Sequence, residues 1–299
     1  MKKVAFVGNS ETPEKLLELF RKMTPGNSGI WKNLQGVASY KEADYFAVID
    51  WLPPNLGIDE SKCVFLGAHP ETMQAYRNMS NYKGLKMYDC RHTIGFLEWW
   101  IKYDYDFLSK LEPPTKTKQV CAIVSNANTQ SYHKDRLSWL DRFTNLIATQ
   151  KQEFNLYGRI VPFTEPMKKV YRGPCGSLDA RGFAASGNDH MTGKEEVLLE
   201  HKYIIEFDAT GSNYFSERVL DDMLLWCMPI YWGGKSVHNY LPSKSFQYFD
   251  IIINGADVLD IINSNFYEEH IEDLRQARNL LLNKYQLWPR VHEAIFGEA

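Results

Sequence analysis

The amino-acid sequence predicts an α/β protein made of two parallel-sheet domains in tandem, and three observations point there. Short apolar runs bounded by turn residues alternate with stretches whose apolar residues recur at helical spacing, the pattern of strands covered by helices on both faces. That alternation occurs twice, on either side of the polar, proline-containing stretch Leu111-Glu-Pro-Pro-Thr-Lys-Thr-Lys118. A chain of 299 residues is also long for one core and natural for two domains of about 100–200 residues each.

The first domain is expected over residues 1–115. Lys3-Val-Ala-Phe-Val-Gly8 reads as a buried strand, and Thr12-Pro13 opens a helix with Thr as N-cap and Pro in the first turn. Asp44-Tyr-Phe-Ala-Val-Ile-Asp50 and Lys62-Cys-Val-Phe-Leu-Gly67 read as two further buried strands. The second domain is expected over residues 116–299. Gln119-Val-Cys-Ala-Ile-Val124 is its first strand, Ser125-Asn126 opens the following loop, and Leu137, Leu140, Phe143 and Ile147 mark the stripe of the next helix. Tyr203-Ile-Ile-Glu-Phe207, Pro229-Ile-Tyr-Trp232 and Ile251-Ile-Ile253 supply more strands. Ile271, Leu274, Leu281 and Tyr285 line a final helix, a candidate to pack back on the first domain. Residues 171–195, rich in Gly, Ser and charge, read as a surface loop, with a substrate-covering lid as the alternative.

Composition narrows the function. With 34 basic against 37 acidic side chains, the net charge of −3 gives no electrostatic footprint for nucleic acid. The 17 Tyr, 16 Phe and 8 Trp suit stacking on bases or sugars and equally suit ordinary cores. Five cysteines, Cys63, Cys90, Cys121, Cys175 and Cys227, are widely spaced and form no C-x-x-C, so they read as reduced thiols rather than a zinc site or a disulfide framework. No apolar run approaches the roughly 20 residues that span a bilayer. A cytoplasmic protein is expected, and the oligomeric state is open.

One residue stands out. Ser216 reads as a helix N-cap, and Val219, Leu220, Met223, Leu224 and Cys227 mark one apolar face behind it, yet Arg218 sits in the first turn. A cation there opposes the helix dipole at a cost of about 0.3–1 kcal/mol unless an anion offsets it. Phe207-Asp-Ala-Thr-Gly-Ser-Asn-Tyr214 leads from a strand end into this helix, the position where α/β sheets bind ligands and where backbone N–H groups meet phosphate. Arg136 falls in the corresponding place after the preceding strand. Two arginines so placed fit a diphosphate, although each alone also reads as a solvated surface charge.

These residues resemble a known family. Lys202-Tyr-Ile-Ile-Glu-Phe207, Tyr214-Phe-Ser-Glu-Arg218, Pro229-Ile-Tyr-Trp-Gly-Gly234 and Asn239-Tyr-Leu-Pro-Ser-Lys-Ser-Phe246 look like the signature of the α-1,3-fucosyltransferases, glycosyltransferase family 10. Cys121-Ala-Ile-Val-Ser-Asn126 with Arg136, and Tyr157-Gly158-Arg159, look like its upstream elements, so the resemblance covers residues 119–250. It implies a GT-B fold, in which two Rossmann-like domains face a cleft and the C-terminal one holds the donor. It implies transfer of fucose from GDP-fucose to a glycan hydroxyl with inversion, with neither a bound metal nor a cofactor. Arg136 and Arg218 would hold the diphosphate and Tyr214 and Glu217 would line the nucleotide and sugar site. Ser125 and Asn126 would sit at the cleft, and Thr210, Asn213 and the N-cap Ser216 would complete the donor loop. Inversion requires a general base on the acceptor hydroxyl, and charge develops on the leaving diphosphate.

The sequence departs from that pattern in two places. Phe207-Asp208-Ala209-Thr210 replaces the family's F-E-N-S, so an amide becomes Ala209, with Asn213 a partial substitute. This keeps another nucleotide sugar open as donor. The family's base is a Glu after an N-domain strand, where this chain reads Gly67-Ala68-His69-Pro70-Glu71. His69 and Glu71 are therefore the candidate bases, and a binding protein that has lost turnover is the alternative to an enzyme. Asp104-Tyr-Asp106 lacks the context of a D-x-D metal motif, and His92, His190 and His238 show no ligand spacing.

Overall fold

The computed structural model describes residues 1–8, 11–50, 52–53, 56–67, 83–89, 98–161, 163–176, 192–208, 215–253 and 255–297. The chain forms two units: Met1–Glu98 with Tyr103–Lys110 and Asn279–Ala299, and Trp99–Lys102 with Leu111–Arg278.

The first unit holds a six-stranded sheet of β1 (Lys2–Val7), β2 (Ile30–Trp31), β3 (Leu34–Gly36), β4 (Tyr45–Ile49), β5 (Cys63–Gly67) and β6 (Lys86–Asp89), in the order β2-β3-β1-β4-β5-β6. Only the β2–β3 pair is antiparallel. Val4 to Val7 are fully buried, as expected of a strand with parallel neighbours and covered faces, whose sequence is an apolar run rather than an alternation. The helix Pro13–Arg21 begins as expected, Thr12 Oγ1 accepting the Lys15 N–H at 3.3 Å. Phe20 of that helix and Trp288 of the C-terminal helix Leu287–Phe296 both meet Phe6 edge-on, at 5.1 and 5.2 Å between centroids. Trp288 Nε1 also donates to the Phe20 carbonyl at 3.0 Å. Asp104 and Asp106 have structural duties here. Asp104 accepts the Phe107 N–H at 2.9 Å and the Asn27 amide at 2.8 Å, and Asp106 accepts the Gly26 N–H at 2.9 Å.

The C-terminal reading needs correction. The helix Ile271–Leu280 passes into a π-turn, Leu281–Tyr285, and stops. Gln286 is extended, and its side chain caps a new helix by accepting the Trp288 N–H at 3.0 Å. Pro289 sits in that helix's first turn, where its missing N–H removes no intrahelical bond.

The second unit holds β7 (Lys118–Ile123), β8 (Asn155–Tyr157), β9 (Tyr171–Gly173), β12 (His201–Phe207), β13 (Met228–Trp232) and β14 (Gln247–Tyr248), with a separate pair of β10 (Cys175–Gly176) and β11 (Thr192–Gly193). The main sheet is wholly parallel and runs β14-β13-β12-β7-β8-β9. Counted from β7, its strands progress outward in one direction to β9 and then, from β12, in the other. This is the doubly wound dinucleotide-fold order, with its switch point between β7 and β12. On one face Trp139 and Phe143 of the helix Ser131–Gln150 stack at 4.7 Å, and Trp139 also meets Phe207 and Phe249. Lys116 of the proline-containing stretch donates to the Leu198 and Leu225 carbonyls at 2.7 and 3.0 Å, and burial lowers its pKa to about 8.

Ile251–Ile253 is a turn rather than a strand, with Ile252 exposed at 85%. Asp250 organises it: its side chain accepts the Ile252 N–H at 2.9 Å and its carbonyl the Ile253 N–H at 3.0 Å. The third outer strand is instead the short β14. Cys63, Cys121, Cys175 and Cys227 are buried free thiols, while Cys90 lies outside the described residues.

Candidate functional site

The site is built at the switch point, from the loop that leaves β7 and from the helix that follows β12. Arg136 lies on the buried stripe of the Ser131–Gln150 helix, in phase with Trp139, Leu140 and Phe143. Its guanidinium donates to the carbonyls of Ser125 at 2.9 Å and Ala127 at 3.2 Å, the loop immediately beyond β7. Its Nε is buried with no hydrogen-bond partner among the described residues. Burial, with the neighbouring Arg218 guanidinium, lowers its pKa to about 10. A surface charge would show none of this: Arg136 is only 4% exposed. Asn126 is exposed, and its N–H donates to the Arg159 carbonyl at 3.2 Å, which ties the loop to the Tyr157-Gly158-Arg159 segment.

Arg218 enters from the other side of the sheet, on the helix Glu217–Leu224. Ser216 is its N-cap as expected and accepts the Arg218 N–H at 3.4 Å. The anion that offsets Arg218 is, in this structure, provided by the chain's own sheet. Glu206 lies 3.2 Å from one terminal nitrogen and Asp208 3.4 Å from the other, which also donates to the Phe207 carbonyl at 2.5 Å. Burial opposes the Arg218 charge, but Glu206 and Asp208 hold its pKa above the ordinary arginine range. Burial pushes Glu206 above the usual carboxylate range, with Arg218 pulling against it. The Arg218 side chain is 35% exposed. Glu217 is half-buried beside it.

Beneath the helix lies a layer of buried charge. Lys194 pairs with Asp221 at 3.0 Å; burial acts against its ammonium, yet Asp221, Asp222 and Glu206 hold its pKa up. Burial raises the Asp221 pKa to about 6, against the pull of Lys194. Both Asp222 oxygens are buried without hydrogen-bond partners among the described residues, and burial with the nearby Glu206 raises that pKa well above normal.

Of the sequence-predicted residues, Ser125, Asn126, Arg136, Ser216, Glu217 and Arg218 follow the carboxyl ends of the adjacent strands β7 and β12, and the Arg218 charge helps to lower the Arg136 pKa. His69, Glu71, Thr210, Asn213 and Tyr214 lie outside the described residues, as do His92 and His190. His238 packs against Phe246 and Tyr248. Glu206, Asp208 and Tyr231 were missed as site residues, although a charged residue inside the apolar run Tyr203–Phe207 was a legible signal. Among the described residues no group of His, Cys, Asp and Glu is arranged to hold a metal ion, and no helix is long and apolar enough to cross a membrane.

Neither a protein-family model nor a curated protein matches the chain. Solved structures similar to it include S. aureus TarM, in complex with fondaparinux, α-GlcNAc-glycerol and UDP, at 10% identity and a TM-score of 0.44 over 86% of this chain and 50% of that one. This chain thus spans half the length of TarM. An α1,3-fucosyltransferase with GDP aligns at 12% identity and a TM-score of 0.41, over 95% and 92% of the two chains. The DNA-modifying enzyme β-glucosyltransferase, studied with and without uridine diphosphoglucose, aligns at 11% identity and a TM-score of 0.48, over 98% and 99%.

Proposed function

We propose that the protein is a glycosyltransferase of GT-B type that binds a nucleotide sugar at the switch point of its second sheet, with GDP-fucose as donor and a glycan hydroxyl as acceptor. The observation that carries this reading is the pair Arg136 and Arg218. Two guanidiniums, delivered by helices on opposite faces of one sheet, are held beyond the carboxyl ends of the adjacent strands β7 and β12, where open α/β sheets bind ligands, and the Arg218 charge is felt at Arg136. Mutual repulsion and the unpartnered Arg136 Nε are both relieved by a bridging diphosphate. The family resemblance of residues 119–250 runs through the same strands and helix.

The chemistry follows from that placement. Negative charge grows on the leaving diphosphate as the glycosidic bond breaks, so fixed cations at a helix start favour the transition state over the ground state. In this reading these donors carry the role without a metal. His69 or Glu71 takes the acceptor proton.

Titration calorimetry with GDP and UDP tests the donor. GDP is expected to bind, and Arg218→Ala to weaken it by roughly 10- to 150-fold, the loss of a charged hydrogen bond worth about 1.5–3 kcal/mol. Arg136→Ala is expected to act in the same direction. Unaltered GDP affinity in both variants refutes the diphosphate site. For the base, release of GDP from GDP-fucose with a panel of acceptors is measured in His69→Ala and Glu71→Ala, and full turnover in both removes them from the mechanism. Donor binding without turnover by the unmodified protein favours the second reading, a binding protein, to which Ala68 in place of the family's Glu points.

A further inference from the structure

Three donors from two elements, the capped Glu217–Leu224 helix and β13, converge on one side chain that the donor reading leaves unexplained. Asp208 Oδ2 accepts the Ser216 N–H at 2.6 Å, at the start of the Glu217–Leu224 helix, and the Tyr231 hydroxyl at 3.2 Å, from β13. Its other oxygen lies 3.4 Å from Arg218. The residue is 3% exposed, so its carboxylate is part of the fold rather than a group that a ligand displaces.

The sheet register builds this hub. Glu206 stands opposite Tyr231, and the Asp208 N–H donates to the Trp232 carbonyl at 2.8 Å. Strand alternation therefore puts Glu206, Asp208, Tyr231 and position 233 on one face, the face covered by the Glu217–Leu224 helix. Position 233 must then be small. A Cβ on Gly233 would lie 2.2 Å from the Tyr231 hydroxyl and 2.8 Å from the Asp208 Cβ. The Tyr-Trp-Gly run thus keeps room for the Tyr231–Asp208 contact.

We propose that Asp208 is a positioning residue, which locks the Arg218 fork and the first N–H groups of its helix into the orientation that receives a diphosphate. Glu206 holds one terminal nitrogen of Arg218, while Asp208 and the Phe207 carbonyl hold the other, so the plane of the guanidinium is determined at both ends. Asp208 also couples that plane to the helix start, through the Ser216 N–H. Both carboxylates offset the Arg218 charge, and Asp208 in addition ties its fork to the helix start.

This inference rests on the diphosphate reading, and a double-mutant cycle separates the two. Affinities for GDP and GMP are measured by calorimetry in the unmodified protein, Asp208→Asn, Arg218→Ala and the double variant, with thermal melts to establish folding. Asp208→Asn is expected to weaken GDP by about tenfold and to leave GMP within about twofold, because it is the contact with the terminal phosphate that is misaligned. In the Arg218→Ala background it is expected to add less than about twofold, since the fork it orients is gone. Tyr231→Phe is the second variant, for use if Asp208→Asn does not fold; it removes one donor without altering charge and should show the same GDP-selective loss at smaller size. Equal losses for GDP and GMP, or an Asp208→Asn effect that persists without Arg218, overturn the positioning role while the donor site stands. Failure of the unmodified protein to bind GDP or UDP overturns both.

Discussion

Replacing Gly158 with alanine is expected to destabilise the protein by about 3 kcal/mol or more and to weaken nucleotide binding in the fraction that folds. Gly158 has φ of +111°, a backbone conformation that a side chain strains wherever it occurs. Space is also lacking. A Cβ would lie 2.2 Å from the Val124 carbonyl oxygen and 2.7 Å from the Val124 nitrogen, both backbone atoms of the chain just beyond β7 and unable to swing aside. Relief requires the chain after β7 to move away from β8, against the Val124 N–H bond to the Tyr157 carbonyl at 2.9 Å and the Gly158 N–H bond to the Gly173 carbonyl at 3.1 Å. That chain continues into Ser125 and Ala127, whose carbonyls orient Arg136. The glycine of the Tyr-Gly-Arg element is thus a fold residue with a functional consequence. Urea unfolding of Gly158→Ala measures the first effect and GDP titration at low temperature the second. A midpoint within error of the unmodified protein would show that the strands separate at little cost.

How much of this was legible in the sequence depends on what each residue must satisfy. The buried parallel strands were legible because both faces are covered, so β1, β4, β5, β7, β12 and β13 centre on short apolar runs, that of β12 interrupted by Glu206. Strands of two or three residues, such as β2, β10 and β11, carry too few positions to show any period. Ile251–Ile253 has the apolarity of a strand but not its surroundings: Asp250 folds the run into a turn, and hydrophobicity alone does not reveal whether anything lies over it. The break at Gln286 was hidden because the apolar stripe continues through it in helical phase. At the site, Arg136 and Arg218 were legible as cations following strands. Their partners were not, because a carboxylate's neighbours across a sheet depend on register, which no local pattern encodes. Glu206 inside an apolar strand and Asp221-Asp222 amid a helix's apolar face were the available signs that buried charge had to be paired.

Acid titration should expose a histidine that holds the second sheet together in its neutral form. His201, the first residue of β12, is completely buried. Its protonation state follows from its neighbours. Arg172 Nε donates to Asn155 Oδ1 at 2.7 Å, which turns the Asn155 amide nitrogen toward His201 Nε2, 3.1 Å away. His201 Nε2 must therefore accept, and its proton resides on Nδ1, which donates to the Val197 carbonyl at 2.7 Å. Protonating Nε2 would set two donors face to face in a dry site. Burial, reinforced by Lys118, accordingly lowers the His201 pKa to about 4 from an ordinary 6.5. Because the folded pKa is depressed, the unfolded chain binds more protons; the contribution is fully present above pH 6.5 and is lost as pH falls through about 4. The loss between pH 7 and pH 4 amounts to about 3 kcal/mol. Buried carboxylates act in the opposite sense over the same window, since the Asp221 pKa is raised to about 6 and its protonation favours the folded state. The unmodified protein's own profile therefore mixes opposing contributions, and the histidine is read from a difference. Urea unfolding of the unmodified protein and of His201→Gln is compared at each pH; the stability gap between them should shrink by about 3 kcal/mol from pH 7 to pH 4. A gap that stays constant across that range would mean that His201 titrates alike in the folded and unfolded chains, and that the tautomer assigned from Arg172 and Asn155 is wrong.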